Sequence, residues 1–300
     1  MTLFEAKNIT PMLIADNQPP FDSDDYVFEL KWDGIRCLVY LDVTDTELRN
    51  KRNKRLNAIY PEVCGLHALV KQRCILDGEL FAMVNGKPDF GEVQRRSLMN
   101  DPFKIKQAAN RQPISFIAYD VIFIGDESVC DRTLEWRGDA LTEVVKEPAM
   151  ISRRIERDGI AMFNAAAKQG LEGIVAKRKD SLYFPGKRTK HWIKMKALLD
   201  EDFFICGYIR KDTVASVVLG AYQNGKLTYQ GTVALGVSHG DLKLLMQTEA
   251  LRANDEIYNG FPDLPGCVWL KPRWICTVQY MERTKNGGLR QPVFKGVRLD

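Results

Sequence analysis

Runs of β-branched and aromatic residues, bounded by polar turn residues, recur through the first two thirds of the chain, and this pattern predicts β-strands. The predicted strands are 26–30, 36–41, 80–84, 115–124, 173–177 and 192–196. Residues 133–145 and 158–169 are predicted to be helices, and Gly170 suits the C-cap of the second. This part of the chain therefore mixes strands and helices.

The pattern changes near residue 200, where short strands joined by tight turns such as Asn224-Gly225 replace the mixed arrangement. The strands predicted there are 203–209, 216–222, 226–233 and 274–281. One helix, predicted over 241–252, interrupts them. Short strands with a single helix favour a small Greek-key barrel of the OB type. We therefore predict two domains, residues 1–199 and 200–300.

Composition places the chain among ordinary globular proteins, since 45% of its residues are hydrophobic and 27% are charged. No basic segment followed by an apolar stretch marks a signal peptide at the N-terminus. The most apolar run, 115–125, is short and contains Asp120, so we expect no membrane span. The seven cysteines are scattered, which favours reduced thiols in a cytoplasmic protein over a disulfide framework or a zinc site.

The net charge of +4 conceals clusters of basic residues. Residues 181–199 contain bases and no acid, and 271–300 are also predominantly basic. The bases of the first cluster are Lys187, Arg188, Lys190, Lys194 and Lys196. Such clusters fit a polyanionic partner, a nucleotide or a nucleic acid, although solvated surface charge produces the same pattern.

Lys31-Trp32-Asp33-Gly34, a tetrapeptide with candidate catalytic side chains, follows the first predicted strand. A lysine attacks phosphorus only as the neutral amine, which requires a nearby base or a depressed pKa. Asp33, two residues on, is expected to share the lysine's face of the strand, and Gly34 permits close approach of the backbone to a ligand. On its own this tetrapeptide is a weak signal.

Four further segments supply complementary groups in order along the chain. They are L-D-G-E-L (76–80), F-I-A-Y-D (116–120), E-G-I-V-A-K (172–177) and H-W-I-K-M-K (191–196). With Lys31 they provide a nucleophile, carboxylates for a hard cation, an aromatic face for a base, and lysines for phosphates. This combination is typical of nucleotidyl transfer.

The ordered motifs K-x-D-G, D-G-E, E-G-I-V-A-K and W-I-K-M-K resemble those of the covalent nucleotidyltransferases, and within them the ATP-dependent DNA ligases. The chain is most similar to the ligase domain of the bacterial ligase D family. The resemblance runs from Pro11 to the closing P-V-F-K-G-V-R-L-D at 292–300. It implies an α+β fold, with a nucleotidyltransferase domain of mixed sheets and helices around an ATP-grasp-like core, followed by an OB-fold β-barrel.

The resemblance also implies a reaction, in which Lys31 takes AMP from ATP, AMP passes to the 5′-phosphate of a DNA nick, and the 3′-hydroxyl displaces it. Implied nucleotide contacts are Glu29 at the adenine edge, Tyr119 stacked on the base, Glu79 at the ribose, and Arg36, Arg52, Arg188, Lys194 and Lys196 at phosphates. Implied ligands of Mg²⁺ (or Mn²⁺) are Glu172 and Glu79, with Asp33 and Lys177 as helpers. Implied partners are nicked double-stranded DNA and repair or end-joining proteins, bound by a compact monomer.

Some of these residues have simpler interpretations. Tyr119 stands where the family usually has phenylalanine, and it could be a core side chain. Lys51 replaces the serine that normally precedes Arg52. Lys177 and Arg188 could be solvated, because basic residues at strand ends and in loops often are.

Three alternative functions remain open from the sequence. A capping guanylyltransferase would use GTP and a different C-terminal motif, and an RNA ligase would usually lack the barrel. A non-catalytic nucleic-acid-binding protein on a decayed ligase scaffold is the third. Retention of all the principal polar residues argues against the third alternative, and these residues are Lys31, Glu79, Glu172, Lys194 and Lys196.

Overall fold

The computed structural model describes residues 2–147, 150–211, 214–251, 256–284 and 286–298. The chain divides into two compact units, Met1–Ala197 and Leu198–Asp300. Across these described ranges, every helix is too short or too polar to cross a membrane.

The first unit is built from two mainly antiparallel β-sheets and short helices. Its strands are β1 (Leu13–Asn17), β2 (Ser23–Leu30), β3 (Ile35–Leu41), β4 (Thr46–Asn50), β5 (Cys74–Val84), β6 (Lys87–Pro88), β7 (Ile114–Ile124), β8 (Glu127–Ser128), β9 (Arg154–Arg157), β10 (Gly173–Arg178) and β11 (Arg188–Lys196). Its helices are α1 (Leu3–Ala6), α2 (Phe90–Ser97), α3 (Pro102–Arg111), α4 (Leu134–Val144) and α5 (Gly159–Lys168), with 3₁₀ turns at Pro61–Val63 and Leu66–Leu69.

One sheet has the strand order β1-β11-β10-β2-β9, in which only the β1–β11 pair is parallel. The other has the order β4-β3-β5-β7-β8, with β6 added to β5. A buried cluster combines side chains from both sheets, including Val27 and Trp192 from the first and Leu38 and Ile122 from the second. The two sheets therefore pack on a shared hydrophobic layer, and the ends of their strands enclose the candidate site.

Helix ends in this unit follow local capping chemistry. The Thr133 side chain accepts from the Trp136 amide at the start of α4, and the Asp101 side chain accepts from the Phe103 and Lys104 amides at the start of α3. Gly170 follows α5 with a φ of +69°, a conformation that favours glycine. The two helices predicted from sequence are thus confirmed, shortened by one residue at each end.

Several elements of the first unit differ from the sequence prediction. Strand β5 begins at Cys74, six residues before the predicted start, because the L-D-G-E-L segment lies inside the strand. The prediction missed β1, β4, β9 and helices α1, α2 and α3. Strand β9 illustrates the reason: its sequence R-I-E-R carries little hydrophobic signal, and pairing with β2 determines its conformation.

The second unit is a small β-barrel of the predicted OB type. Its elements are β12 (Leu199–Lys211), β13 (Val214–Gln223), β14 (Lys226–Val233), α6 (His239–Met246), a 3₁₀ turn (Glu256–Tyr258), β15 (Cys267–Trp269), β16 (Ile275–Tyr280) and β17 (Val293–Arg298). The strand order is β14-β13-β12-β16-β17, and β15 also pairs with β12. Phe203, Leu219, Val278 and Phe294 lie in one buried core with Leu245 of α6.

The helix predicted over 241–252 is wrong in its bounds. It begins at His239, where the Ser238 and Asp241 side chains form a capping box, and it ends at Met246. Arg252 lies outside the described residues. The strand predicted over 274–281 is one residue shorter at each end, and β15 and β17 were missed. The α+β class with a C-terminal OB-fold is confirmed.

A buried ion pair joins α4 to β7. The Arg137 guanidinium donates to both carboxylate oxygens of Asp120 at 2.8 Å, and both side chains are fully buried. Arg137 also donates to the backbone carbonyls of Arg132 and Ser181. Removing one partner of such a pair leaves a buried charge uncompensated, which costs about 3–5 kcal/mol.

We expect Arg137→Met to lower the free energy of unfolding of the chain by about 3–5 kcal/mol, because Asp120 would remain buried without its partner. Urea unfolding followed by circular dichroism measures this loss. Arg178→Met is the matched control, since Arg178 pairs with Asp180 on the surface, where solvent screens the pair, and its loss should change the free energy of unfolding far less. Equal effects of the two substitutions would contradict the prediction.

Candidate active site

The Lys31 side chain lies where β2 ends and faces the start of β10. Its Nζ donates to Glu172 Oε2 at 2.6 Å, and its backbone N–H donates to the Gly173 carbonyl at 3.0 Å. Residues 31–34 form a loop, so the predicted sharing of one strand face by Lys31 and Asp33 is wrong. A Cβ on residue 34 would lie 2.0 Å from the Leu80 carbonyl oxygen. Gly34 therefore lets the loop pass directly over β5.

Beside Lys31 is a pocket of about 600 Å³ that opens to solvent. Its lining residues are Ile14, Glu29, Leu30, Lys31, Trp32, Arg36, Glu79, Tyr119, Val175, Lys177 and Trp192. The fold thus brings together a lysine, carboxylates and aromatic rings that are far apart in sequence. This composition, polar groups set among aromatic walls, is typical of a small-molecule site.

An ion pair closes one end of the pocket. Lys177 Nζ lies 2.9 Å from Glu29 Oε1, and the side chains are 3% and 2% exposed. The same ammonium donates to the Tyr119 carbonyl and lies 4.5 Å from the Tyr119 ring centroid and 4.3 Å from that of Trp192. Burial lowers the pKa of Lys177, and Glu29 opposes that shift. The simpler interpretation of Lys177, a solvated lysine at a strand end, is therefore excluded.

Arg36 lines the pocket and is held in place by a buried carboxylate. Its guanidinium donates to both oxygens of Asp77, at 2.9 and 2.5 Å, and Asp77 also accepts from the Tyr183 hydroxyl at 2.7 Å. The guanidinium lies 5.6 Å from the ring centroids of Tyr119 and Trp192. Asp77 therefore holds this arginine in place.

Glu79 is the strongly perturbed acid of the pocket. Loss of solvent around its carboxyl group raises its pKa from 4.5 to about 8, although Lys31 and Arg36 act in the opposite direction. Glu172 adds to the rise, because two carboxylates near one another disfavour each other's charge. The Tyr119 hydroxyl lies 3.5 Å from Glu79 Oε2. Glu79 is thus neutral near neutral pH, unless a cation binds beside it.

The carboxyl groups of Glu79 and Glu172 fit a Mg²⁺ or Mn²⁺ ion, since both supply oxygen ligands and their mutual repulsion is relieved by a cation. Within the described part of the chain, no cluster of three or more acidic, histidine or cysteine side chains could hold a metal by itself. Mg²⁺ is commonly bound by one or two carboxylates together with substrate phosphates and water. The donor set therefore suits a metal that arrives with a nucleotide.

The other predicted site residues lie around the pocket. Lys196 Nζ lies 3.8 Å from Glu172 Oε1, next to Lys31, and Lys194 follows two residues from Trp192 on the same face of β11. Arg188 donates to the carbonyl of Ile14, a lining residue, at 2.8 Å and is otherwise exposed. Arg52 occupies an exposed turn after β4, outside the lining.

Three residues of the site escaped the sequence analysis. Trp32 and Trp192 line the pocket, and Trp32 packs against Phe81 with ring centroids 4.6 Å apart and the ring planes tilted by 42°. Arg154 donates to Glu29 Oε1 at 3.2 Å from the edge strand β9. The tryptophans stand inside the quoted motifs and could have been found there, whereas nothing near Arg154 marks it in sequence.

Comparison with known protein families accounts for both units. The family described as "ATP dependent DNA ligase domain" matches residues 11–196, and "ATP dependent DNA ligase C terminal region" matches residues 210–300. The chain belongs to the ATP-dependent DNA ligase family. Lys31, Glu172 and the lining of the pocket all lie in the part matched by the ligase domain.

Individual members of the ligase family are similar to this chain in sequence and in structure. The "Multifunctional non-homologous end joining DNA repair protein LigD" of Mycobacterium tuberculosis is 29% identical over 99% of this chain, which spans 39% of that protein. "DNA ligase C1" of Mycolicibacterium smegmatis is 32% identical over 93% of this chain and 85% of its own length. A solved mycobacterial DNA ligase D in complex with ATP and MES is 26% identical, with a TM-score of 0.57 over 98% of this chain and 96% of the other.

We expect the stability of the metal-free ligase to depend on Glu79 between about pH 4.5 and 8. In that range folded Glu79 keeps its proton and the unfolded chain loses it, so stability falls as pH rises, by up to about 1.4 kcal/mol per pH unit. Urea unfolding at pH 5 and pH 8 should show that the free energy of unfolding falls less between these pH values for Glu79→Gln than for the unchanged chain. Glu135→Gln, at an exposed helix position, is the control, and an identical fall in all three would refute the assignment.

Proposed function

We propose that this chain is an ATP-dependent DNA ligase that seals nicks between a 5′-phosphate and a 3′-hydroxyl through a lysyl-AMP intermediate and adenylated DNA. The observation that carries the proposal is the position of Lys31, 2.6 Å from the Glu172 carboxylate at the edge of a pocket with aromatic walls. In this proposal the first unit performs adenylation, and the OB-fold unit contributes to binding of the substrates.

Lys31 is the proposed nucleophile for the α-phosphate of ATP. It must lose a proton before its nitrogen can form the bond to phosphorus, and Glu172 is within hydrogen-bond distance to receive it. Formation of the N–P bond breaks the bond to the leaving pyrophosphate. Lys196, close to the same carboxylate, is placed to stabilise negative charge on the α-phosphate.

The adenine would occupy the end of the pocket closed by Glu29 and Lys177. Tyr119 offers a ring for stacking, in line with the role suggested for the family's phenylalanine. At the base edge, Glu29 supplies a hydrogen-bond acceptor and Lys177 a donor. Glu79, whose Oε2 lies 3.5 Å from the Tyr119 hydroxyl, is assigned to the ribose.

Phosphates would be held by the bases around Lys31. We assign Arg36, Lys194 and Lys196 to the nucleotide phosphates, and Arg52 and Arg188 to the nick, because the latter two are exposed beyond the pocket. Glu172 and Glu79 would hold Mg²⁺ or Mn²⁺, with Asp33 as a helper. The metal would supply neutralisation of charge on the reacting phosphate.

After adenylation the ligase would transfer AMP from Lys31 to the 5′-phosphate of a nick, and attack by the 3′-hydroxyl would release AMP. Relatives named for non-homologous end joining and DNA repair suggest that this chain repairs breaks with similar partner proteins. From sequence we further propose a cytoplasmic monomer.

The first test is covalent labelling with α-labelled ATP or GTP in the presence of Mg²⁺. We expect acid-labile label from ATP alone, and complete loss of it in Lys31→Ala, because the nucleophilic nitrogen is absent. Lys168→Ala, at an exposed helix end, is the matched control and should label normally. A denaturing gel reads the label, after a pyrophosphate wash that removes any AMP acquired during expression.

A chase with nicked duplex DNA completes the test. Discharge of the label with joining of the strands supports a DNA ligase. Label taken from GTP would indicate a capping enzyme instead. Label that survives in Lys31→Ala would refute Lys31 as the nucleophile, and absence of label after the wash would favour a binding protein without catalysis.

Exposed bases before and within β11 should contribute to DNA binding through phosphates. We expect Lys187→Gln with Lys190→Gln to weaken binding of nicked duplex and to reduce the slope of log K against log salt by roughly 2. Fluorescence anisotropy at several salt concentrations measures the slope. The control pair Lys71→Gln with Lys168→Gln, exposed elsewhere on the first unit, should leave it unchanged. An equal loss in both pairs would indicate only a general charge effect.

A further inference from the structure

Arg154 occupies a position that the reaction proposed above does not use. It begins the edge strand β9, and the register of the sheet sets Arg154 directly opposite Glu29 on β2. Its Nε donates to Glu29 Oε1 at 3.2 Å, and its Nη2 donates to the Tyr119 carbonyl at 3.4 Å. Arg154 is not among the lining residues, so it reaches the pocket through Glu29.

Arg154 and Lys177 share both of these acceptors. The Lys177 ammonium donates to the same Glu29 oxygen at 2.9 Å and to the same Tyr119 carbonyl at 3.0 Å. Two cations therefore converge on one buried carboxylate oxygen, one from inside the pocket and one from behind it. An ion pair between Lys177 and Glu29 would already be neutral, so the second cation must be explained by something other than charge compensation alone.

Helix α4 is shaped to admit the arginine. Gly138 lies in the interior of that helix, where glycine is unfavourable compared with alanine. A Cβ at this position would lie 1.5 Å from Arg154 Nη1 and 2.6 Å from its Cζ. The absence of a side chain at residue 138 thus creates the space in which the guanidinium lies.

We propose that Arg154 is a positioning residue that fixes the Glu29 carboxylate and thereby makes the base end of the pocket selective for adenine over guanine. This inference rests on the proposed function, because it assumes that a purine nucleotide enters the pocket. Because Arg154 holds the Glu29 carboxylate from outside the pocket lining, Glu29 offers an acceptor in a fixed position beside the Lys177 donor. Adenine presents an amino donor and a ring-nitrogen acceptor on its pairing edge, whereas guanine presents a carbonyl acceptor and an N–H donor there. A fixed acceptor and a fixed donor therefore match adenine, whereas guanine would place its own acceptor against Glu29 and its own donor against Lys177.

The pocket would lose this selectivity if Glu29 could turn. Among the described residues, the other partner of this carboxylate is Lys177, so without Arg154 both groups could rearrange together around either base. The expected change is in the ratio of the two nucleotide affinities. A residue that merely stabilised the fold would alter the amount of folded protein and leave that ratio unchanged.

The test measures equilibrium binding of ATP and of GTP by calorimetry to the full chain, with Lys31→Ala present throughout to prevent covalent reaction. Arg154→Gln removes the cation, and Arg154→Lys restores a charge at the same place. Arg153→Gln is the matched control, since Arg153 is the preceding, exposed residue. Gly138→Ala displaces the guanidinium without removing it. Thermal unfolding confirms that each variant is folded.

We expect Arg154→Gln to weaken ATP binding about tenfold and to leave GTP binding nearly unchanged, in line with the loss of a hydrogen bond between charged groups. Gly138→Ala should lower the ratio of ATP affinity to GTP affinity by a smaller factor. Arg154→Lys should restore part of the ATP affinity that Arg154→Gln loses, and Arg153→Gln should leave the ratio unchanged. If Arg154→Gln does not fold, the Gly138→Ala ratio decides the question.

An ATP-to-GTP affinity ratio that is the same in Arg154→Gln or Gly138→Ala as in the control would overturn the inference. Equal binding of both nucleotides by the parent chain would also overturn it. Failure of the proposed function has a different signature, in which ATP binds selectively and yet the chain with Lys31 intact forms no lysyl-AMP. Selective binding that depends on Arg154 would then still support the positioning role.

Discussion

The antiparallel pairing of β10 with β2 is the interaction on which the site depends. This hydrogen-bonded ladder places Val175 opposite Glu29 and Ile174 opposite Leu30, and it carries on into the bond between the Lys31 amide and the Gly173 carbonyl. Because the ladder fixes register to a single residue, it delivers Glu172 to Lys31, across 141 positions of sequence. A shift of one residue would turn these side chains to the other face.

The pocket holds several charges away from water, and the structure compensates each of them by a specific partner. Arg36 is held by Asp77, Lys177 by Glu29, and Lys31 by Glu172. Such pairs cost desolvation free energy, so their value lies in fixed geometry more than in stability. Glu79 is the exception, because its neighbours do not offset burial and its pKa rises to about 8. A positive charge placed beside Glu79 would favour its ionised form, as Lys31 and Arg36 already do in part.

Much of the fold was predictable, and the errors have a common cause. The central strands β3, β7 and β10 carry long runs of buried apolar residues, so their pattern alone indicates them. The edge strands β1 and β9 have only five and four residues, too few for a clear pattern, and pairing with a neighbour decides their conformation. Strand β2 ends at Leu30, as predicted, so the error at Asp33 came from extending the alternation of a strand into the loop that follows it.

For the candidate site, the amino-acid sequence specifies which reactive groups are available, because a nucleophilic lysine, carboxylates and their spacing within each motif are local properties. The tertiary structure alone decided which of them meet. It buried Lys177 and left Arg188 and Arg52 exposed, although all three are bases near the ends of strands. It also recruited Arg154 and Trp192 by sheet register and packing. Contacts of that kind depend on chain pairing over long separations, and no short pattern of residues encodes them.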